Sequence, residues 1–263
     1  MNTQIYQVDA FNSEPFKGNP AAVCLLTEKK SENWMQQIAM EMNLSETAFL
    51  LPERKGYRLR WFTPLVEVNL CGHATLASAF VLFHQKLVKP GSTVHFYTRS
   101  GEMTASDQDG WITLDFPAFY EQVYPKAQKI AEILHIKPLA VMQSGENVIV
   151  EMASAEEVCR LNPDFERLKL LTMQGLIVTA RSTQPEFDFI SRYFAPWIGI
   201  NEDPVTGSAH ACLGPYWQKR LGKSNLRAYQ ASQRGGMLKV EVKGKRVLIS
   251  GQAVMIFSGE LLA

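Results

Sequence analysis

Arg60-Trp61-Phe62-Thr63-Pro64, followed by Cys71-Gly72-His73-Ala74-Thr75, has a counterpart later in the chain. That counterpart is Arg192-Tyr193-Phe194-Ala195-Pro196, followed by Thr206-Gly207-Ser208-Ala209-His210. In both, Arg-aromatic-Phe reads as a strand that ends at a proline. In both, a loop follows and Gly-x-Ala opens a helix. The second loop is three residues longer, and the extra length contains Glu202-Asp203-Pro204. Two unrelated strand–loop–helix units can resemble each other by chance. The ordered recurrence of strand, Pro, Gly and helix favours a duplicated α+β lobe.

Working outward, short strand-like runs dominate. They include 5–9, 21–25, 47–51, 57–62, 94–98 and 111–116, then 147–150, 176–180, 238–242 and 246–250, bounded by Gly, Pro, Asn and Asp. Three helices stand out. Ser31 is placed to cap one carrying Trp34, Met35, Ile38, Ala39 and Met42. A second runs from Gly72 to about Gln85 and is apolar on nearly all sides, so burial is expected. A third runs from Gly207 to Leu221. Pro117 and the segment 120–126 follow the strand ending in Leu114-Asp115-Phe116. The expected lobes are therefore 1–117 and 118–263, with the last strand a candidate to cross back.

Composition narrows the partners. The 263 residues are 46% hydrophobic and 20% charged, an ordinary globular mix. A net charge of +1 gives no electrostatic reason to expect nucleic acid or an anionic membrane. Cys24, Cys71, Cys159 and Cys212 are far apart, without disulfide-scaffold or CxxC spacing. Met1-Asn2-Thr3-Gln4 shows no leader pattern, and no apolar run spans a bilayer. A cytoplasmic location is the expectation.

The Gly-x-Ala turns suit anion binding. The first turn of a helix offers backbone N–H groups without internal partners, and the peptide dipoles add about half a positive charge there. Gly72 and Gly207 admit a ligand to the backbone, and Ala74 and Ala209 leave the approach open. A carboxylate substrate is the simplest fit. Proton transfer then needs titratable groups. His73 lies on the first turn, where the helix terminus disfavours its charged form. Asp203 lies four residues before Gly207, and Glu46 stands at the mouth of an apolar strand. Each also has a plainer reading: a solvated Glu46, a turn-capping Asp203, a helix-start Ser208 and a core His73. Cys71 with His73, and His210 with Cys212, lack zinc-ligand spacing, so no metal is expected. Gly207-Ser208-Ala209-His210 is not a serine-hydrolase elbow.

These motifs carry a family resemblance. Val8-Asp9-Ala10-Phe11, Phe16-Lys17-Gly18-Asn19-Pro20 and Asn43-Leu44-Ser45-Glu46-Thr47 join the two repeats and Gln230-Ala231-Ser232-Gln233-Arg234-Gly235-Gly236 in order. Together they make the chain resemble the PhzF-like proteins, named for the phenazine-biosynthesis isomerase. The resemblance implies a diaminopimelate epimerase-like α+β fold. In it, two pseudo-symmetric lobes each wrap a curved, mostly antiparallel sheet around a central helix. It implies a homodimer with the site between lobes, and an isomerase that shifts a proton or hydrogen without metal or organic cofactor. The matching residues are Glu46 as general acid/base, with His73, Asp203 and Ser208 as polar partners. The expected substrate-binding set is Gly72, His73, Ala74, Thr206, Gly207, Ser208 and Ala209. Related epimerases use two opposed cysteines. Cys71 stands where one thiol would sit, but Thr206 holds the twin position, so a two-thiol racemase is not expected. Amino-acid epimerisation by another route, or a non-catalytic binding role, are the alternatives.

Overall fold

The protein is described by a computed structural model covering residues 3–89 and 91–263. Met1 and Asn2, at the head of the segment read for a leader, lie outside the described residues. The chain forms two compact units, Met1–Phe116 with Ile249–Ala263, and Pro117–Leu248.

The first unit runs β1 (Thr3–Ala10), β2 (Asn19–Leu25), α1 (Glu32–Met42), β3 (Glu46–Glu53), β4 (Gly56–Phe62), β5 (Glu67–Val68), α2 (Gly72–His84), β6 (Thr93–Thr98), β7 (Gly101–Gln108) and β8 (Trp111–Pro117). The second contains β9 (Glu121–Val123), α3 (Ala127–Leu134), β10 (Ala140–Ser144), β11 (Asn147–Glu151), α4 (Ala155–Arg160), α5 (Phe165–Leu168), β12 (Gly175–Arg181) and β13 (Phe189–Ala195). A 3-10 turn (Pro196–Ile198), β14 (Ile200–Asp203), α6 (Gly207–Leu221), β15 (Asn225–Gln230) and β16 (Gly236–Lys243) complete it. The chain then continues through β17 (Arg246–Gly251) into β18 (Ala253–Leu261).

The same ladder is built twice. In the first unit, β1 pairs antiparallel with β2, β2 parallel with β3, β3 antiparallel with β4, and β4 parallel with β6. In the second, β10 pairs antiparallel with β11, β11 parallel with β12, β12 antiparallel with β13, and β13 parallel with β15. Each unit is a mostly antiparallel sheet with a buried helix, as the repeat and the resemblance led us to expect.

Local chemistry explains the helices. Ser31 Oγ accepts from Trp34 N at 3.1 Å, the N-cap read from sequence, and Asn43 closes α1 in the left-handed region. On its inner side, Met35, Ile38 and Ala39 pack with Phe49, Phe62 and Cys24. Helix α2 is buried almost all round, and β1, β2, β3, β7 and β18 pack against it. Helix α6 contains Pro215, which has no N–H to give the Ala211 carbonyl one turn earlier. Phe119 N donates to that carbonyl instead, at 3.1 Å.

The register shows what each repeat position does. Arg60 Nε donates to Glu67 Oε1 at 2.7 Å, and the guanidinium lies 5.1 Å from the Phe62 ring. Arg192 Nε donates to Glu202 Oε1 at 2.7 Å, and its guanidinium lies 4.9 Å from the Phe194 ring. Each arginine thus ties the strand before the proline to a short strand beyond it, β5 or β14. This pairing corrects the sequence alignment of the loops. Glu202 is the counterpart of Glu67, so the additional residues fall before it, in the stretch holding the 3-10 turn. Asp203 then corresponds to Val68, and Thr206 to Cys71.

The same register locates the twin of Glu46. Thr47 pairs with Phe62, and Leu176 pairs with Phe194. The residue before each is Glu46 in one unit and Gly175 in the other. Their neighbours in the parallel ladder are Ala21 and Asn147. A Cβ on Gly175 would overlap the Tyr193 hydroxyl and ring, and that hydroxyl donates to Asn147 Oδ1 at 3.0 Å. Where the first unit carries a carboxylate, the second carries a tyrosine ring over a glycine.

Candidate active site

Glu46 opens β3 and is only 7% exposed. Strand alternation sets Glu46 and Ala48 on one face, opposite Thr47 and Phe49, and Phe49 faces α1. Trp61, paired with Ala48, shares the Glu46 face. Its indole N–H is buried without a hydrogen-bond partner among the described residues. That puts an unsatisfied donor on the carboxylate's side of the sheet, a feature not read from the sequence.

His73 lies one residue into α2 and is 3% exposed. Its Nε2 approaches Glu46 Oε2 at 3.3 Å, and its Nδ1 lies 3.5 Å from Cys71 Sγ. Burial pushes the imidazole down to a pKa of about 3, so the ring is neutral at ordinary pH. Neutrality was expected from the helix terminus; desolvation is the dominant cause. Ligand atoms of Glu46, Cys71 and His73 all lie within 4.8 Å of one another, a grouping that spacing alone did not reveal. Gly72 and Ala74 flank His73 in the buried first turn. Thr75 Oγ1 donates to the Cys71 carbonyl, fixing the residue that caps α2.

The second turn is held by a different network. Asp203 ends β14 and is 8% exposed, and its Oδ2 accepts from Thr206 Oγ1. Thr206, the N-cap residue of α6, gives its N–H to Gln230 Oε1 at 2.8 Å. The Gln230 amide returns to Asp203 O at 2.8 Å and Thr206 Oγ1 at 3.2 Å. Gly207 and Ala209 are buried and Ser208 is half-buried. His210 Nδ1 lies 2.8 Å from Thr206 O, the same tie that Thr75 makes to Cys71 O in α2. The structure therefore joins Glu46 with His73 in one unit, and Asp203 with Thr206 in the other. Gln230 was missed as a site residue. It lies in the motif 230–236, but its partners are 24 and 27 positions away, beyond local pattern.

Two predictions arise from this geometry. Gln230→Leu leaves the buried Thr206 N–H and Asp203 O without their amide partner, at a cost of about 1–3 kcal/mol for each unsatisfied group. Urea unfolding should show a lower midpoint at unchanged slope, whereas a wild-type midpoint would show the network to be dispensable. The second concerns acid. His210 is also buried, which lowers its pKa to about 4. Unfolding restores both histidines to about 6.5, so the unfolded chain takes up protons first. The stability from holding them neutral is complete above pH 6.5 and lost as pH falls toward 4 and then 3. His210→Leu should flatten the acid limb of unfolding free energy against pH; an unchanged slope would remove His210 from it.

Comparison with known proteins identifies the family. The chain matches the family profile described as phenazine biosynthesis-like protein over residues 8–259. It is 52% identical to an uncharacterized isomerase of Halalkalibacterium halodurans, covering 100% of this chain and 99% of that one. A crystal structure of a PhzF-family phenazine biosynthesis protein from Enterococcus faecalis superposes with a TM-score of 0.95 at 46% identity, covering all of both chains. A probable proline racemase from Agrobacterium radiobacter shares the fold alone, at a TM-score of 0.66 and 12% identity over 98% of this chain and 92% of that one. No helix among the described residues is long and apolar enough to cross a membrane. Motif order, duplicated register and these matches agree: the chain belongs to the PhzF, phenazine biosynthesis-like family.

Proposed function

We propose that the protein is an isomerase that moves a proton or hydrogen within a small carboxylated cyclic or amino-acid-like metabolite, with Glu46 as general acid/base. The observation that carries this is the buried Glu46 carboxylate beside a neutral imidazole at the start of a buried helix. Glu46 takes a proton from a carbon next to an electron-withdrawing group and returns it to another carbon, so no proton is gained or lost overall. Neutral His73 can donate one hydrogen bond without a competing charge. The first-turn amides of Gly72, His73 and Ala74 favour a substrate carboxylate over a cation. Asp203, Thr206 and Ser208, with the amides of Gly207 and Ala209, are the polar substrate-binding set of the second unit. The relative named as an isomerase supports the reaction class.

A two-thiol racemase fits less well. The counterpart of Cys71 is Thr206, and the counterpart of Glu46 is Gly175, so the second repeat carries neither a thiol nor a carboxylate at these two positions. The test is hydrogen exchange in deuterium oxide with a panel of aromatic, cyclic and amino-acid carboxylates, followed by NMR. We expect one class to exchange a specific C–H in the wild type and not in Glu46→Gln. Exchange that persists in that variant overturns the assignment of Glu46.

A further inference from the structure

The imidazole of His73 stands between two groups of different chemistry. Its Nδ1 faces the Cys71 thiol at 3.5 Å, and its Nε2 faces the Glu46 carboxylate at 3.3 Å. All three residues are nearly closed to solvent: Cys71 is 5% exposed, His73 3% and Glu46 7%. We infer that Cys71, His73 and Glu46 form one proton relay, in which the thiol is a second acid/base group that serves Glu46 through the ring. This deepens the proposed function and rests on the reading of Glu46 as acid/base.

The tautomer follows from electrostatics. A neutral imidazole carries one N–H and one lone pair. When Glu46 is in its base form, a proton on Nδ1 would leave the Nε2 lone pair pointing toward the carboxylate across 3.3 Å. With the proton on Nε2, that nitrogen donates to Glu46 and Nδ1 accepts from the Cys71 S–H. The second arrangement turns a repulsion into two attractions. The Nε2 approach is not yet an aligned hydrogen bond. Catalytic hydrogen bonds are often loose before substrate binds and tighten with it.

The transfer balances. The Nε2–H bond breaks as Glu46 Oε2 gains the proton, and the S–H bond breaks as Nδ1 gains the other. The ring stays neutral and changes tautomer, and one negative charge moves from carboxylate to thiolate. Run in reverse, the thiolate takes back a proton and Glu46 becomes a base again. Cys71 is the N-cap residue of α2, where the peptide dipole favours a thiolate. The relay would let Glu46 change protonation state without opening the site to water. The second unit has no such chain, because Thr206, Ser208 and Gly175 occupy the three corresponding positions.

The same three residues could be read as a metal site. The two ring nitrogens, however, address different partners. The nearest approaches, 3.5 Å at the thiol and 3.3 Å at the carboxylate, are made by different nitrogens, although ligand atoms of all three residues lie within 4.8 Å of one another. The start of α2 is also electropositive.

The relay can be read without a substrate. In protein with 15N-labelled histidine, we expect His73 to show an unprotonated Nδ1 and a protonated Nε2 at neutral pH. The infrared S–H band lost in Cys71→Ala should lie at lower wavenumber than a free thiol, because the S–H is donated. Cys71→Ser should keep the Nε2–H tautomer. A proton on Nδ1, an S–H band at the free-thiol position, or stoichiometric zinc binding that His73→Asn abolishes would each overturn the relay. These readouts are independent of turnover. If Glu46→Gln retains C–H exchange while the tautomer and thiol band are as expected, the proposed function fails and the hydrogen-bonded chain stands.

Discussion

Glu46→Gln is expected to lower turnover by about 10²- to 10⁴-fold, the range that a positioned acid/base group contributes. The amide has nearly the shape of the carboxylate but can neither take nor return the proton. The fold should survive. Glu46 begins β3, its backbone pairs in register with Ala21, and the substitution changes neither volume nor strand geometry. The near-isosteric amide should leave the unfolding midpoint close to that of the wild type. Loss of activity with unchanged stability is the signature of a group kept for chemistry. Glu46→Asp separates placement from acidity, because it keeps the carboxylate but withdraws it by one methylene from His73. Measured by deuterium uptake and by urea unfolding on the same preparations, a fall in both activity and stability would assign Glu46 a structural role.

Much of this site was legible in the sequence because its elements are local. Gly72-His73-Ala74 and Gly207-Ser208-Ala209 announced two helix starts. Apolar residues on every side of 72–84 announced burial, and Ser31 announced a cap that is present at 3.1 Å. The less legible parts depend on register and long-range contact. The loop after Pro196 was aligned with its extra residues at Glu202-Asp203-Pro204. The two bidentate arginine pairs and the strand register show that Glu202 is the half shared by both repeats and that the added turn precedes it. Glu46 was read beside a strand, but its proximity to His73 depends on β3 lying against α2. The short helices α4 and α5 span too few turns to show a period, whereas α3 buries Ile130, Ile133 and Leu134 at helical spacing and was legible but passed over. Gln230 and the buried Trp61 indole were legible only after strands distant in sequence had been paired.

Gly175→Ala is the second large effect, and its sign should depend on one other residue. Gly175 is not held by an unusual backbone; its φ is outside the left-handed region. Space alone excludes a side chain, because an added Cβ would strike the Tyr193 hydroxyl and ring. Tyr193 is 7% exposed and hydrogen-bonded to Asn147, so it cannot move aside freely. Overpacking of this type costs about 1–3 kcal/mol, and displacement of the tyrosine adds the loss of its hydrogen bond. In a Tyr193→Leu background the clashing atoms are gone. A strand alanine is otherwise better than glycine by roughly 0.5–1 kcal/mol, so the same substitution should become neutral or stabilising there. Denaturant unfolding of the wild type, both single variants and the double variant measures the coupling directly. Equal costs of Gly175→Ala in the two backgrounds would show that the tyrosine ring does not fill this position. A reversal of sign would show how the duplicated lobes diverged: one repeat kept room for a carboxylate beside its buried helix, and the other filled that room with a ring that a carboxylate could re-enter only by displacing it.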